Sequence, residues 1–463
     1  MTSLSIISNV TLVTMDAARR IIVDAGLVWS GARILAVGKA DDLAMRYPAA
    51  RRFDGGGGLV CPGFIDAHNH SAHFLTKGLL DDVPLEQRWR TRLYPFECAV
   101  SEEESYWGAM GTFGEQLLHG TTCIGDPGSA HPGAAARAAS DAGIRAVISG
   151  MITDTFDPSR PLDDTVEYSV TGMAAYSERL FDELDGMGDG RVKVAYGLWT
   201  GSTVSDELCT RILDLCLRRG ATLHAHLATR EADNDDALRR FGVRAVERYR
   251  RLGVLGPHFL GAHAGAIDDD EAQQIAASGA SIVHCPSASM MGGFGCIAHG
   301  RFPELAAAGV NLALGSDAAS ISRFLDMPRL MYLAACAHKD VRRDSSLMGA
   351  HVAFEMATLG GARALGLQDT VGSLEPGKQA DFVLLQTNGI EWQPRPWLNP
   401  VANLVYSSGG YRVDTVFVAG KAVVAEGQLQ DAAWPGRFER IRAAATTANQ
   451  RAHLPLEQVW PIH

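Results

Sequence analysis

The chain begins with short runs in which apolar and polar residues alternate. Residues 4–13, 26–37 and 52–60 read as strands separated by Gly and Asp turns, the texture of a small antiparallel sheet. From Pro62 the rhythm changes, and apolar runs of four to eight residues alternate with amphipathic stretches of helical length. The strands expected are "GFIDAHNH", "TTCIGD", "IRAVISGMI", "RVKVAYGLW", "ATLHAHLA", "HFLGAHAG", "ASIVHCPS" and "VNLALGSDA". Between them lie helical stretches such as "EEESYWGAMGTFGEQLLHG", "SDELCTRILDLCLRRG" and "DDEAQQIAASG", most of them ending in Gly as a helix C-cap does. About eight β-α repeats in roughly 310 residues predict a closed parallel barrel, because a doubly wound sheet seldom needs so many. After Gly372, "GSLEPGKQADFVLL" and "YRVDTVFVAGKAVV" return to strand-and-turn texture. Each terminal segment alone has too few strands to bury a face, so the two are expected to build one sheet together. The fold class is α/β: a distorted (β/α)8 barrel over residues 62–373 and a small β-sandwich composed of residues 1–61 and 374–463, the latter with a C-terminal tail.

Composition narrows the function. A chain of 463 residues is longer than one core usually holds, which agrees with a large unit plus a small one. A formal net charge of -11 argues against a nucleic-acid partner or an anionic membrane surface. No stretch of about 18 uncharged apolar residues occurs, and the N-terminus lacks the basic start and long apolar run of a signal peptide, so a cytoplasmic protein is expected. The 8 cysteines are scattered without CxxC pairs and read as reduced, mostly buried thiols. Neither a cysteine zinc site nor a thiol nucleophile is expected.

The histidines carry the chemistry. In "CPGFIDAHNHSAH", His68 and His70 stand two apart, so an extended segment over residues 59–70 sends both rings to one face. Barrel active sites form at the C-terminal ends of the strands. His68 and His70 end the first expected strand, His226 the fifth, His263 the sixth and Asp317 the eighth. Three neutral imidazoles, His68, His70 and His226, with the Asp317 carboxylate suit one divalent cation such as zinc, which lowers the pKa of a bound water toward neutrality. His224 shares a face with His226 but lies deeper, and is read as a packed residue, as is His284.

These motifs together resemble the amidohydrolase superfamily, and within it the cytosine-deaminase-like branch of chlorohydrolases, guanine deaminases and S-adenosylhomocysteine deaminases. "PGFIDAHNHSAH", "HAHLA", "GAHAGAIDDDEAQQIAASGASIVHCPSASMMGG", "GVNLALGSDAAS" and "ATLGGARALGLQDTVGSLEPGKQADFVLL" match that branch in order over nearly the whole chain. The resemblance implies a TIM barrel in which His68, His70, His226 and Asp317 ligate one metal, zinc first, with Fe2+ or Mn2+ as other candidates. It implies that His263 orients the attacking water, that Asp317 relays its proton and that Glu97 holds polar groups of the substrate. No Lys ends the fourth strand, where binuclear relatives carry a carbamylated one, so a single metal is expected; Lys193 lies near that strand's start and is read as exposed. The expected activity is attack at an sp2 carbon of a nitrogen heterocycle or amidine with release of ammonia or an amine. A small-molecule heterocyclic substrate and a homo-oligomeric state, dimer or tetramer, complete the expectation.

Two departures bear on the reaction. The branch writes His-x-x-Glu after the fifth strand, with the Glu as general acid, whereas here Thr229 stands in that place. After the fourth strand the branch often carries residues like "PHSP", whereas this chain has "LWTG", which offers the Trp199 indole to the substrate. Thr229 is then a substrate contact, with Glu231, Glu97 or a water donating the proton. Alternatively the leaving group is an anion, making the enzyme a desulfhydrase or dechlorinase. Outside enzymes, the chain would be an inactive metal-binding homologue.

Overall fold

The computed structural model describes residues 4–155, 167–395, 399–408, 410–454 and 460. Strands β1 (Leu4–Val13), β2 (Ile21–Ser30), β3 (Arg33–Lys39) and β4 (Arg51–Pro62) form the N-terminal part of one sheet. The expected strand over 26–37 is thus two strands joined at Gly31, whose φ of 54° makes the tight turn that glycine adopts without strain. The segment over 59–70 is not one strand either. Its first part belongs to β4, and at Gly63 the chain leaves that sheet for another. A β-carbon at Gly63 would come within 2.1 Å of Thr122 Oγ1, so only glycine passes there.

Eight strand positions make the barrel. β5 (Phe64–Asp66), β6 (Thr121–Asp126), β7 (Arg145–Ile148) and β8 (Val192–Val194) are parallel neighbours in one sheet, and β9 (Tyr196–Leu198), β10 (Leu223–Leu227), β11 (Phe259–His263), β12 (Ser281–His284) and β13 (Asn311–Leu314) in another. β8 and β9 are one expected strand divided at Ala195, whose N–H bonds to Ile148 O while the next N–H, of Tyr196, bonds to Thr222 O across the other side. The remaining gap closes where Ala67 N donates to Leu314 O and Asp317 N to His68 O, both at 2.8 Å. The fold is therefore the distorted barrel that the apolar rhythm predicts. Its strands are short because the turns of the site begin so soon after them.

Helices fill the returns. Glu102–Leu118 starts at a Ser101 capping box, while Pro132–Ala142, Asp206–Arg219 and Asp269–Ser278 end on left-handed Gly143, Gly220 and Gly279, which supply the C-caps. Among the described residues no helix is long and apolar enough to cross a membrane.

The C-terminal strands β14 (Phe382–Leu385), β15 (Val413–Val418), β16 (Lys421–Ala425) and β17 (Gln428–Leu429) continue the first sheet, with β14 antiparallel to β4. The sheet curls over itself into a sandwich. Trp29 on β2 touches Phe382 and Phe417 of the far wing, with ring centroids 5.3 Å apart in both cases, although β1 and β4 lie between their strands in the hydrogen-bonding order. Burying these aromatic faces against one another supplies the small unit's core. The final helix, Trp434–Arg451, lies against helix Glu102–Leu118, where Gly114 leaves room for the Trp434 ring and Arg451 pairs with Glu104 at 2.8 Å.

Candidate active site

His68, His70, His226, His263 and Asp317 converge at the C-terminal mouth of the barrel. Ligand atoms of His68, His70 and His226 form one cluster and those of His68, His263 and Asp317 a second, each within 4.8 Å. His70 Nε2 lies 3.3 Å from His226 Nε2 and 3.8 Å from Asp317 Oδ1; His68 Nε2 is 4.0 Å and His263 Nε2 3.9 Å from the same carboxylate. The backbone is bent hard to achieve this. Ala228, His263 and Asp317 all have positive φ, at 40°, 75° and 65°, a conformation that costs on the order of 1–3 kcal/mol in a residue other than glycine and that clusters at functional sites. Gly315 is part of the same construction, because a β-carbon there would meet His68 Cβ at 2.8 Å.

Three of the four imidazoles are held by their outer nitrogen, whereas His263 Nδ1 is buried without a partner. His226 Nδ1–H donates to Trp199 O at 2.6 Å and His70 Nδ1–H to Gly128 O at 3.4 Å, while His68 Nδ1 shares a proton with His224 Nε2 at 3.0 Å. A neutral ring has one N–H, so Nε2 of His70 and of His226 is left with its lone pair turned inward. His68 Nε2 is buried with no hydrogen-bond partner. Nε2 of His70 and His226 then face one another as two acceptors, which repel unless a cation lies between them. A tetrahedral ion with bonds of about 2.0–2.1 Å spaces its ligand atoms by roughly 3.3 Å; the His70–His226 pair stands at that spacing, and Asp317, 3.8–4.0 Å from His70 and His68, is a small side-chain adjustment away from it. The residues present therefore fit one divalent cation.

Burial sets the charge state. It holds His68, His70 and His263 well below the ordinary imidazole value, with neighbouring imidazoles adding to the effect, so the rings are neutral donors. Burial likewise pushes the Asp317 carboxyl up to about 7, against the opposing pull of His73 and Arg88. Beneath them the buried Asp66 accepts from Ser316 N at 2.9 Å and Gln116 Nε2 at 2.7 Å, tying the ends of β5 and β13 together.

The cluster opens into a cleft of about 600 Å3. Trp199 and Thr229 border it, and the Trp199 ring meets His70 and His226 edge-on, with centroids 5.4 Å apart. Glu97 also borders it and accepts a hydrogen bond from His73 Nε2 at 3.1 Å. Glu231 does not belong there. Its side chain is 61% exposed, pairs with Arg244 at 2.8 Å and takes no part in the cleft lining, because the helix that begins at Glu231 turns it outward. The expectation that Glu231 could feed a proton to the substrate is corrected accordingly. Lys193 lies on β8 with its ammonium on Asp185, away from the ligands, and His284 packs on Phe302 and His338.

Sequence reasoning missed two cleft residues. His73, stacked on His70 with ring centroids 5.2 Å apart, is the third histidine of "HNHSAH", so its signal was present. Arg88 is buried at the cleft wall, and nothing in "EQRWRTR" marks it off from its neighbours.

Residues 59–423 match the profile described as Amidohydrolase family. A 5-methylthioadenosine/S-adenosylhomocysteine deaminase of Syntrophobacter fumaroxidans is 31% identical over 442 residues, covering 95% of this chain and 97% of that protein. A 5'-deoxyadenosine deaminase of Methanothermobacter thermautotrophicus is 32% identical over 416 residues, covering 88% of this chain and 92% of that protein. The zinc-bound crystal structure of an adenosine deaminase from Xanthomonas campestris shares the fold with a TM-score of 0.87 and 28% identity, over 97% of this chain and 99% of that one.

Proposed function

The chain belongs to the amidohydrolase family, and from that premise we propose that it is a metal-dependent deaminase of an amino-substituted nitrogen heterocycle of nucleoside type. The observation that carries this reading is the convergence of four inward-turned imidazoles and one buried carboxylate on a cleft large enough for such a ring. His68, His70, His226 and Asp317 would hold a divalent ion, zinc before Fe2+ or Mn2+ for so nitrogen-rich a set, and such an ion would supply the acidity that turns a water into a nucleophile near neutral pH. His263 orients the attacking water toward the reacting carbon, and Asp317 accepts its proton. Trp199 packs against the ring, and Thr229 offers a hydroxyl in place of the carboxylate usual there. Glu97, backed by His73, is the carboxyl group we assign to protonating the departing amine, since an amide anion is too basic to leave unprotonated. The relatives are named as deaminases, which favours amine release over an anionic leaving group.

The same reading divides the chain at 61/62 and 373/374, a division supported by the strands of both termini sharing one sheet. It also places the protein in the cytoplasm as a homo-oligomer, which cell fractionation and light scattering test.

The deciding experiment pairs metal analysis with a panel of matched amino-, thio- and chloro-substituted purines. About one divalent ion per chain, loss of turnover on chelation and fastest release from the amino compound are expected. Faster release of thiolate or chloride would transfer the reading to the anionic leaving group. A metal-loaded protein inert on the whole panel would overturn it.

A further inference from the structure

Arg88 ends the short helix Leu85–Arg88, is 2% exposed and borders the cleft. One of its N–H groups donates to the carbonyl of Ser320, three residues beyond Asp317 on the same turn, and Asp317, Ala318, Ser320 and Ile321 border the cleft with it. Among the described residues its other N–H groups have no acceptor and it forms no ion pair, and none of them is sealed away from the cleft as the orphan nitrogens of Arg92 are.

This is unlike the structural arginines of the same protein. Arg145 is bidentate on Asp381 at 3.1 Å, and Arg248 donates to Asp206, Gly201 O and Val204 O. Arg92 also has orphan nitrogens, but it does not border the cleft. Burying a guanidinium costs several kcal/mol unless acceptors replace its water, so a fork left open toward a ligand cavity is a binding device more than a structural one. The charges around it point the same way. Asp317 and Asp81 favour the Arg88 charge while Arg92 and Arg323 oppose it, and Asp81 already pairs with Arg323 at 3.1 Å, so Arg88 has no carboxylate of its own.

We infer that Arg88 is a specificity-determining residue that takes an oxygen acceptor carried on the substrate's own ring, an oxo or ring-carboxylate group. The inference rests on the deaminase reading and narrows it from amino-heterocycles in general to oxygenated ones. Arginine suits the task because its planar fork meets two acceptors at once and its pKa keeps it charged throughout. For the same reason it donates hydrogen bonds to the ring without acting as the proton source.

The test compares 6-aminopurine, 2-oxo-6-aminopurine and 6-aminopurine-2-carboxylate, by calorimetric Kd and by kcat/KM, on wild type, Arg88→Gln and Arg88→Lys, with thermal midpoints as the check on folding. A hydrogen bond to a charged group corresponds to roughly 10–100-fold in affinity, so wild type should prefer at least one oxygenated ring by about that factor. Arg88→Gln should bring the preference close to one by weakening the oxygenated ligand alone. Arg88→Lys should keep part of it for the carboxylate and little for the oxo group, which distinguishes the two acceptors. A wild-type preference near one, a preference unchanged in Arg88→Gln, or failure of all three rings to bind would overturn the inference. Turnover with no preference removes this inference and leaves the deaminase reading standing; a preference in binding without turnover does the reverse. Should Arg88→Gln fail to fold, wild type and Arg88→Lys decide between these outcomes.

Discussion

His263 and His224 both pack against the His68 ring, with centroids 5.2 and 5.0 Å from it, yet answer to different partners. His263 adopts a left-handed backbone, which Asn tolerates better than most residues, so His263→Asn deletes the imidazole without forcing the turn open. Turnover is expected to fall by roughly 100-fold or more while metal content stays the same, as kcat and metal analysis on one preparation would establish. His224→Phe should act in the opposite sense. It removes the partner that fixes the His68 ring, so zinc affinity should fall by about 10–100-fold in chelator competition, with much of the activity returning when zinc is in excess. The residues that meet at the site were legible because histidines and an aspartate at strand ends are rare enough to be noticed. The service of His224 to His68 was not, because it depends on how two strands on opposite sides of the barrel face one another. Arg88 and the His73–Glu97 pair were hidden for a related reason. They reach the site only because residues 71–99 fold across the barrel mouth, and no periodicity in the chain encodes that path.

Helix Met327–Arg342 is fixed to β12 through a buried imidazole contact, His338 Nε2 to His284 Nε2 at 3.1 Å, with both rings against Phe302. Burial pushes the His338 pKa down to about 4, below the ordinary value near 6.5. The unfolded chain therefore binds more protons between those values, so this contribution to stability is fully present above about pH 6.5 and is lost as pH falls toward 4. Urea midpoints measured across that range should decline with acidification. In His338→Phe the decline should be shallower, although the variant starts lower at pH 7 because the hydrogen bond to His284 is gone. At this scale the barrel was readable from apolar runs alone, since every expected barrel strand contains an observed one. What the pattern blurred were the breaks, at Gly31, Gly63 and Ala195. Each lies inside a continuous apolar or Gly-rich run, and the hydrogen-bond partners that decide where one strand stops are supplied by residues far away in the chain.

Between the barrel and the sandwich, Arg145 of β7 and Asp381, just before β14, form an ion pair whose side chains are only 4% and 1% exposed. Removing one partner strands the other charge, so Arg145→Leu is expected to cost about 3–5 kcal/mol in urea denaturation. Replacing both, with Asp381→Leu added, should recover a large part of that loss. The division of the fourth barrel strand at Ala195 reaches further. The barrel wall is two half-shells, one carrying His68 and His70 and the other His226, His263 and Asp317, joined at Ala195 and at the bridge between Asn69 and Asp317. The histidine–aspartate cluster thus also lies at the clasp of a split hoop. Whatever binds across His70 and His226 adds a third tie between the two halves, and emptying it is expected to loosen the seam. Rigidity and chemistry are then a single joint, and amide exchange at Ala195 and Tyr196, far from any ligand atom on the chain, should quicken on chelation.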